Sequence, residues 1–322
     1  MLRAGFAVAC VCAATLAHAQ QKSGGYPTKP IRVIVTISAG GGPDTVVRMV
    51  SQIVNEKLGQ PFVVDNRPGG GTVLATDLVA NAAPDGYTLL SSTDTLLLVG
   101  AMKRVAYDVR KAFEPVVQLT AQHYVLVVSP ALPIKSIKDL IAYAKARPDA
   151  LSYGSQGVGT TGHLSTERFK TLTGINMVHV PYKGAAPALL DIIGGQIQFM
   201  LASPVSATPH IHSGKLRGLG VAGPKRLAHL PDLPTVEESG VPGFRASNAY
   251  NLVAPAGTPR AIVQTLNRVI SAGLNAPAMV KRFAADGTEP APPATPEAFR
   301  VMMEREYVQV EKQVKGMSLK DM

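Results

Sequence analysis

The sequence contains two cysteines, Cys10 and Cys12, no tryptophan, and only 5% aromatic residues. Both cysteines lie within residues 1–19, a segment that we interpret as a removable export signal. The mature chain would then have no thiol, which excludes a disulfide framework, a cysteine nucleophile and cysteine metal ligands. About 300 residues can bury enough apolar surface to be stable without disulfides, so this absence is compatible with an oxidising compartment.

The N-terminal segment has the order expected of a secretory signal. Arg3 precedes an uncharged apolar run over residues 4–16, and Ala17-His18-Ala19 supplies small residues at the cleavage positions. An apolar core of this length is too short for a bilayer-spanning helix, which needs about 20 residues. We therefore expect residues 1–19 to be removed and the mature protein to begin at Gln20 in the periplasm.

Clustered positive charge is also missing. The chain has 32 Lys and Arg against 22 Asp and Glu, a net charge of +10, yet no run of five basic residues occurs. Nucleic-acid binding usually needs clustered basic side chains and aromatic stacking platforms, so we exclude it. A modest positive excess is compatible with anionic solutes. No later stretch reaches 18 consecutive apolar residues, so no membrane-spanning helix is predicted after the signal.

Strand and helix patterns alternate along the chain, which predicts an α/β fold with parallel strands covered by helices. The predicted strands cover residues 31–37, 62–64, 87–91, 124–128, 151–154, 178–180, 197–201 and 216–221. The predicted helices begin near residues 43, 136, 161 and 187, and two more contain residues 262–270 and 296–314. The proline-rich residues 226–243 are interpreted as connecting structure.

The pattern divides into two similar units. Residues 20–122 are assigned to lobe 1 and residues 123–245 to lobe 2. Repetition alone does not assign residues 246–322 to either lobe.

Two glycine-rich loops each join a predicted strand to a predicted helix. One reads Ser-Ala-Gly-Gly-Gly-Pro-Asp over residues 38–44, and the other covers residues 155–163. In parallel α/β units this junction lies at the carboxyl edge of the sheet, where ligands bind. Helix N-termini there offer N–H groups to an anion, and glycine allows its close approach. Both loops could be plain tight turns, but one in each lobe favours carboxylate binding.

The second loop contains a literal G-x-G-x-x-G at Gly157, Gly159 and Gly162. A dinucleotide site needs an acidic residue about 20 positions further on, and residues 175–184 contain none. We therefore expect no nucleotide and no other cofactor.

Motifs for catalysis and metal binding are scarce. Ser155 lacks the G-x-S-x-G pattern, and H-E-x-x-H is absent. His210 and His212 stand two apart and would point away from each other on a helix, so a solvated helix end is expected. His163 is interpreted as a support or cap for the second loop, and Asp44 as a stabiliser of the first. We predict no enzyme and no metal site.

Taken together, the motifs resemble the Bug-type extracytoplasmic solute receptors of the tripartite tricarboxylate transporter family. The resemblance runs from about residue 26 to the last helix and depends on the order and spacing of short motifs. These are YPTKPIR at 26–32, NRPG at 66–69, PDGYTLL at 84–90, GVGT at 157–160, HVPYKG at 179–184, GGQ at 194–196 and APAGTP at 254–259.

This resemblance implies a type II periplasmic-binding fold with two α/β lobes joined by a hinge. It also implies that residues 246–322 return to lobe 1 and that the two loops hold a carboxylate through backbone groups. The expected partners are a small carboxylate (an amino acid, a di- or tricarboxylate or an aromatic acid) and the membrane subunits of a tripartite transporter. We expect the receptor to be a monomer.

Two departures from the family concern the identity of the ligand. Residues 36–38 read Thr-Ile-Ser where the family often has Pro-Phe, and Tyr250-Asn251 stands where tryptophan is usual. Asp94, in the polar segment 91–95, would repel a second carboxylate and favour a ligand with an amino or hydroxyl group. The residues expected at the ligand are Ser38, Ala39, Gly40, Gly41, Asp44, Thr93, Asp94, Ser155, Gly157, Gly159, Thr160, Thr161, His163, Ser203 and Asn251.

Two alternatives stay open at this point. A small α/β enzyme acting on carboxylic acids would need titratable groups that converge in the cleft. A sensor would use the same receptor to dock on a membrane histidine kinase, and the sequence does not distinguish it from a transport receptor.

Overall fold

The structure, a computed structural model, describes residues 25–285 and 287–315. The predicted export signal at residues 1–19 lies outside these ranges. In chain order the strands are β1 Ile31–Val35, β2 Phe62–Asn66, β3 Thr88–Thr93, β4 Phe113–His123, β5 Val125–Val128, β6 Ser152–Ser155, β7 Val178–Pro181, β8 Phe199–Ala202, β9 Arg217–Val221 and β10 Ser247–Pro255. The helices are α1 Gly42–Leu58, α2 Val73–Ala80, α3 Thr95–Ala101, α4 Val109–Ala112, α5 Ile137–Ala146, α6 Thr161–Thr173, α7 Ala185–Ile193, α8 Pro204–His212, α9 Arg260–Leu274, α10 Pro277–Ala285 and α11 Pro296–Lys315.

Two five-stranded sheets form the cores of two lobes. The first sheet has the order β2-β1-β3-β10-β4, and the second has the order β7-β6-β8-β5-β9. We call the first sheet with its covering helices lobe 1 and the second with its helices lobe 2. Each sheet mixes parallel pairs, such as β1 with β2 and β6 with β7, with antiparallel pairs made by β10 and β5. The predicted two-lobe α/β fold is confirmed.

The helix α1 shows why the local sequence folds as it does. Its apolar residues fall on one face and are buried against the sheet of lobe 1, where they join the main apolar cluster. Gly59 ends the helix in the left-handed conformation, with φ 73°, and its N–H bonds the carbonyl of Asn55. In lobe 2, the predicted cap Ser136 accepts a hydrogen bond from the N–H of Asp139 and starts α5.

The sequence patterns did not indicate β4 and β10. The strand β4 contains Pro115, which cannot donate to a ladder, and β10 contains Asn248 and Asn251, which are disfavoured in strands. β4 lies at the edge of its sheet, where proline is tolerated. β10 pairs on both sides, with β3 and β4, so tertiary pairing overrides its weak local preference.

The chain passes between the lobes at two adjacent places. One is the junction of β4 and β5 at Tyr124, and the other is at Ala246, just before β10. The N–H of Tyr124 bonds the carbonyl of Ala246, and the N–H of Ala222 bonds the carbonyl of Tyr124. The N–H of Ala246 in turn bonds the carbonyl of Ala222. These backbone bonds tie the crossing segments together at the junction of the lobes.

The helix α11 is the longest, with 20 residues. It packs on lobe 1 through Phe299 and Met303 and leaves most of its other side chains exposed. None of the described helices is both long and apolar enough to cross a membrane.

Candidate functional site

A cavity lies between the two lobes. It is a narrow space that opens to solvent. Lobe 1 contributes its strand ends and helix starts, and lobe 2 contributes the starts of three helices. The lining residues are Ile37, Gly42, Pro43, Thr72, Thr93, Thr95, Tyr124, Gln156, Thr160, Thr161, Ala185, Ser203, Asn248 and Tyr250. None of these residues, all from the described ranges, is acidic, basic or a histidine.

One group of helix N-termini meets at the first glycine loop, and we call it cluster A: the starts of α1, α7 and α8. Gly41, Gly184 and Ser203 are their N-cap residues, and none of the three provides a side-chain cap within the described structure. The loops touch directly, because the N–H of Ser38 bonds the carbonyl of Lys183 at 2.8 Å. N–H groups at uncapped helix starts and the positive dipole ends attract an anion.

A second group of helix starts also reaches the cavity lining, and we call it cluster B: the starts of α2, α3 and α6. The N–H of Thr161 donates to Oγ1 of Thr95 at 3.3 Å, which joins lobe 2 to lobe 1. Thr160 caps α6 by accepting a hydrogen bond from the N–H of His163. Thr72 precedes α2 and lies in the cavity wall.

Several polar atoms of the lining have no hydrogen-bond partner among the described residues. They include Oγ1 of Thr72 and Oδ1 of Asn248, whose residues are 5% and 6% exposed, and Oε1 of Gln156. A buried polar atom without a partner costs about 1–3 kcal/mol, so such atoms indicate a site that a ligand or water fills. Thr72 also has φ 82°, a conformation that is strained for a β-branched residue. Strain of this kind is concentrated at functional sites.

Two stacked histidines contact the second glycine loop and hold it in place. The rings of His163 and His179 lie 4.0 Å apart between centroids, with 20° between their planes. Nδ1 of His163 accepts the N–H of Gly159, and Nε2 of His179 contacts Oγ of Ser155 at 2.7 Å. Ser155 also contacts the backbone of Gly157 with its hydroxyl group. Four predicted site residues therefore hold the loop in place and do not line the cavity: Ser155, Gly157, Gly159 and His163.

Acid should weaken this support. Burial lowers the pKa of His163, and burial with the neighbouring His163 lowers the pKa of His179 to about 4. A histidine whose pKa is lowered in the folded state makes the protein less stable as the pH falls below its pKa in the unfolded chain, about 6.5. Between about pH 6.5 and 4, we expect the free energy of unfolding to fall by about 1 kcal/mol less in His179→Phe than in the unaltered protein. The value is discounted because the ring is partly exposed.

Urea unfolding at a series of pH values measures this effect. The variant His212→Phe, at the exposed end of α8, is the matched control. An equal change in the pH profile of both variants would contradict a specific role for the stacked pair.

Asp44 stabilises the first glycine loop. Its carboxylate accepts the N–H of Gly40 at 3.0 Å and pairs with Arg48 one turn further along α1. Burial acts to raise the pKa of Asp44, but the bonds from Arg48 and Gly40 outweigh it and lower the pKa. Gly41 is the N-cap of α1, whereas Ala39 and Gly40 form an exposed turn outside the lining.

Asp94 and Asn251 point away from the cavity. The carboxylate of Asp94 accepts the N–H of Ala249 at 2.8 Å and the side-chain amide of Asn251 at 3.4 Å. Burial and the nearby carboxyl of Glu306 raise the pKa of Asp94 to about 8. Asp94 is thus part of a buried network in lobe 1, and it does not face the space where a ligand would lie.

Of the residues predicted at the ligand, Thr93, Thr160, Thr161 and Ser203 line the cavity. The lining residues that sequence reasoning missed include Thr72, Thr95, Tyr124, Gln156 and Asn248. The sequence could have predicted Thr72, because the Gly69-Gly70-Gly71-Thr72 segment after β2 is a third glycine-rich loop between a strand and a helix. No sequence pattern predicts Tyr124 and Asn248 in the lining, because their positions depend on where the chain crosses between the lobes.

The family model described as "Tripartite tricarboxylate transporter family receptor" matches residues 46–314. Protein BugT of Bordetella pertussis is 40% identical over 278 residues, which cover 85% of each chain.

Solved structures are similar over nearly the whole chain. The protein Rpa4515 of R. palustris with adipate is 36% identical, with a TM-score of 0.85, and the match covers 90% of this chain and 98% of that one. MatC from Rhodopseudomonas palustris with bound malate is 30% identical, with a TM-score of 0.84 and coverage of 89% and 99%.

Proposed function

Because the chain belongs to the tripartite tricarboxylate transporter receptor family, we propose that it captures a small carboxylate between its lobes for delivery to a membrane transporter. The observation that carries this proposal is the charge pattern of the cavity. Helix N-termini converge on it from both lobes, while its lining has no formal charge within the described structure. Such a site holds an anion through backbone N–H groups and hydroxyl groups, without a basic side chain.

The two clusters of helix N-termini support a ligand with two anionic ends. Cluster A and cluster B are separate groups in the cavity wall, so we propose that each holds one carboxylate of a dicarboxylate. The relatives solved with adipate and malate hold acids of this kind. The placement of Asp94 outside the lining removes the repulsion that its sequence position suggested.

The proposal that the protein is not an enzyme depends on the lining. Tyr124 and Tyr250 are its only titratable side chains within the described structure, and burial raises the pKa of each. Neither is therefore ready to act as a base at neutral pH. The Ser155–His179 pair lies in the loop support, with Ser155 only 1% exposed. A sensor that docks on a histidine kinase would use the same cavity and differ only in its membrane partner.

We further propose that the protein is exported to the periplasm and acts there as a monomer. The composition of residues 1–19 supports export. We also propose that residues 20–122 and 246–322 form lobe 1 and that residues 123–245 form lobe 2. It is supported by the position of β10 in the first sheet and by the chain crossings at Tyr124 and Ala246.

The test of ligand class is a panel of mono- and dicarboxylates in thermal-shift and calorimetric titrations. A ligand at 100 times its Kd should stabilise the protein by about 2.7 kcal/mol. Binding of sugars or cations with no response to any carboxylate would overturn the proposal. Pull-down of membrane subunits separates a transport partner from a kinase.

Thr72→Val tests the cavity itself. The hydroxyl has no partner among the described residues without a ligand, so its loss should leave the unfolding free energy nearly unchanged. We expect the best carboxylate to bind roughly 5–10-fold more weakly, since one hydrogen bond contributes about 1 kcal/mol.

Thr76→Val is the matched control, because Thr76 lies one turn away and its hydroxyl donates to the carbonyl of Thr72. That variant should lose stability with little effect on affinity. The reverse assignment, with Thr76→Val weakening binding and Thr72→Val costing stability, would contradict the proposed site.

A further inference from the structure

The phenol of Tyr250 lines the cavity beside the start of α1. Its residue is 1% exposed and stands in the interior of the lobe 1 sheet, where β10 pairs with both β3 and β4. The hydroxyl reaches the first turn of α1: a Cβ added to Gly42 would lie 1.9 Å from it. The same added atom would lie 2.9 Å from Oγ of Ser203, the N-cap of α8. The hydroxyl therefore occupies the space between two helix N-termini of cluster A.

Neighbouring groups hold the hydroxyl there. The side chains of Ser203 in lobe 2 and Gln122 on β4 lie close to it and limit its movement. The starts of α1 and α8 lie directly beside it, so the phenol shares a narrow space with both helix ends. An incoming carboxylate that approaches cluster A therefore meets the phenol before it meets the end of α1.

We propose that Tyr250 sets the length of the ligand that the cavity accepts. This inference depends on the proposed function, and it adds the residue that selects among acids of that class. With the phenol in place, little room is left for an anionic end beside the start of α1. Removal of the hydroxyl gives an anionic end more room beside α1, and this favours longer acids over shorter ones.

The experiment compares Tyr250→Phe with the unaltered protein in calorimetric titrations with malonate, succinate, glutarate and adipate, which differ by one methylene each. A methylene that fits or fails to fit a pocket changes binding by about 10-fold or more. We expect the ratio of affinities for a longer and a shorter acid to rise by about 10-fold in Tyr250→Phe. A second variant, Tyr250→Leu, removes the ring and should move the preference further in the same direction.

Tyr124→Phe is the matched control. Tyr124 is also 1% exposed and lines the same cavity, but its hydroxyl contacts Oγ1 of Thr161 at 2.9 Å, in cluster B. Its loss should weaken all acids by similar factors and leave their order unchanged.

The outcomes separate the two proposals. If the unaltered protein binds acids of the series and neither Tyr250 variant changes the ratio, the inference is wrong and the proposed function stands. A ratio that changes as much in Tyr124→Phe as in Tyr250→Phe also overturns the inference. If the unaltered protein binds no carboxylate at all, the proposed function fails, and the inference fails with it.

Discussion

Replacement of Arg104 by glutamine is expected to weaken ligand binding about tenfold, because hydrogen bonds from a charged group contribute about 1.5–3 kcal/mol. Arg104 follows α3 in lobe 1, and its Nη1 donates to the carbonyl of Val158 in lobe 2 at 2.8 Å. Its Nη2 donates to the carbonyl of Gly70 at 3.2 Å. The guanidinium thus joins the second glycine loop to the Gly69–Thr72 loop across the mouth of the cavity.

Two glycines make room for this contact. A Cβ on Gly71 or Gly159 would lie 2.7 Å or 2.5 Å from Nη1 of Arg104, so backbone from both lobes packs on the guanidinium. Because the contact joins the two lobes, we expect it to break when they open. Its loss lowers the population of the closed state, and the apparent affinity falls by the same factor. Stopped-flow measurement should show the change mainly as faster release.

Arg168→Gln is the matched control for Arg104→Gln. Arg168 also donates to two backbone carbonyls, of Gly243 and Arg245, but it does not bridge the mouth of the cavity. That variant should lose some stability and keep its ligand affinity. Equal losses of affinity in the two variants would show that Arg104 does not act by closing the lobes.

The second large effect concerns the buried carboxyl of Asp94. Burial and the carboxyl of Glu306 raise its pKa to about 8, and burial also raises the pKa of Glu306 on α11. The folded state therefore holds a proton that the unfolded chain releases near pH 4. Stability from this group is complete below about pH 4 and is lost as the pH rises through about 8.

Asp94→Asn imitates the protonated acid and should remove this dependence. Its amide oxygen can still accept from the N–H of Ala249, and its NH₂ group can donate to Oδ1 of Asn251 once the Asn251 amide has turned over. We expect the variant to be more stable than the unaltered protein by a few kcal/mol at about pH 9, and nearly equal to it at about pH 4. Denaturant unfolding at both pH values measures the difference.

Asp44→Asn is a control for which the pH dependence of stability should have the opposite sign. The pKa of Asp44 is lowered, so this carboxylate stabilises the protein above its unfolded pKa and loses that effect as the pH falls. The variant should be less stable than the unaltered protein at neutral pH and approach it in acid. A pH-independent difference for Asp94→Asn would show that Asp94 is ionised in the folded protein.

Sequence patterns predicted those parts of the fold in which local preference and tertiary structure agree. The β-branched run of β1, the one-sided apolar face of α1 and the Ser136 cap all determine their elements locally. The patterns failed at β10, where asparagines lie in a strand because neighbours pair with both of its edges.

The candidate site was predictable only in part. Thr160 and Thr161 were found because a glycine-rich loop marks a helix start, which is a local signal. For Asp94 the position at the end of β3 was right, but the side to which its carboxylate points depends on pairing with β10. Lining by Tyr124 and Asn248 depends on where the chain crosses between lobes, and no spacing along the sequence encodes that.

The position of β10 between β3 and β4 has a consequence for the order of folding. Its neighbours β3 and β4 come from the first 123 residues, but they do not pair with each other, because β10 from residues 247–255 lies between them. Lobe 2 is made of strands between residues 125 and 221, and its sheet can be complete first. Lobe 1 has to wait for the chain to return, with two strand edges unpaired until then. Pairing over such long separations is slow, which would leave the chain time to remain unfolded before the export that we propose.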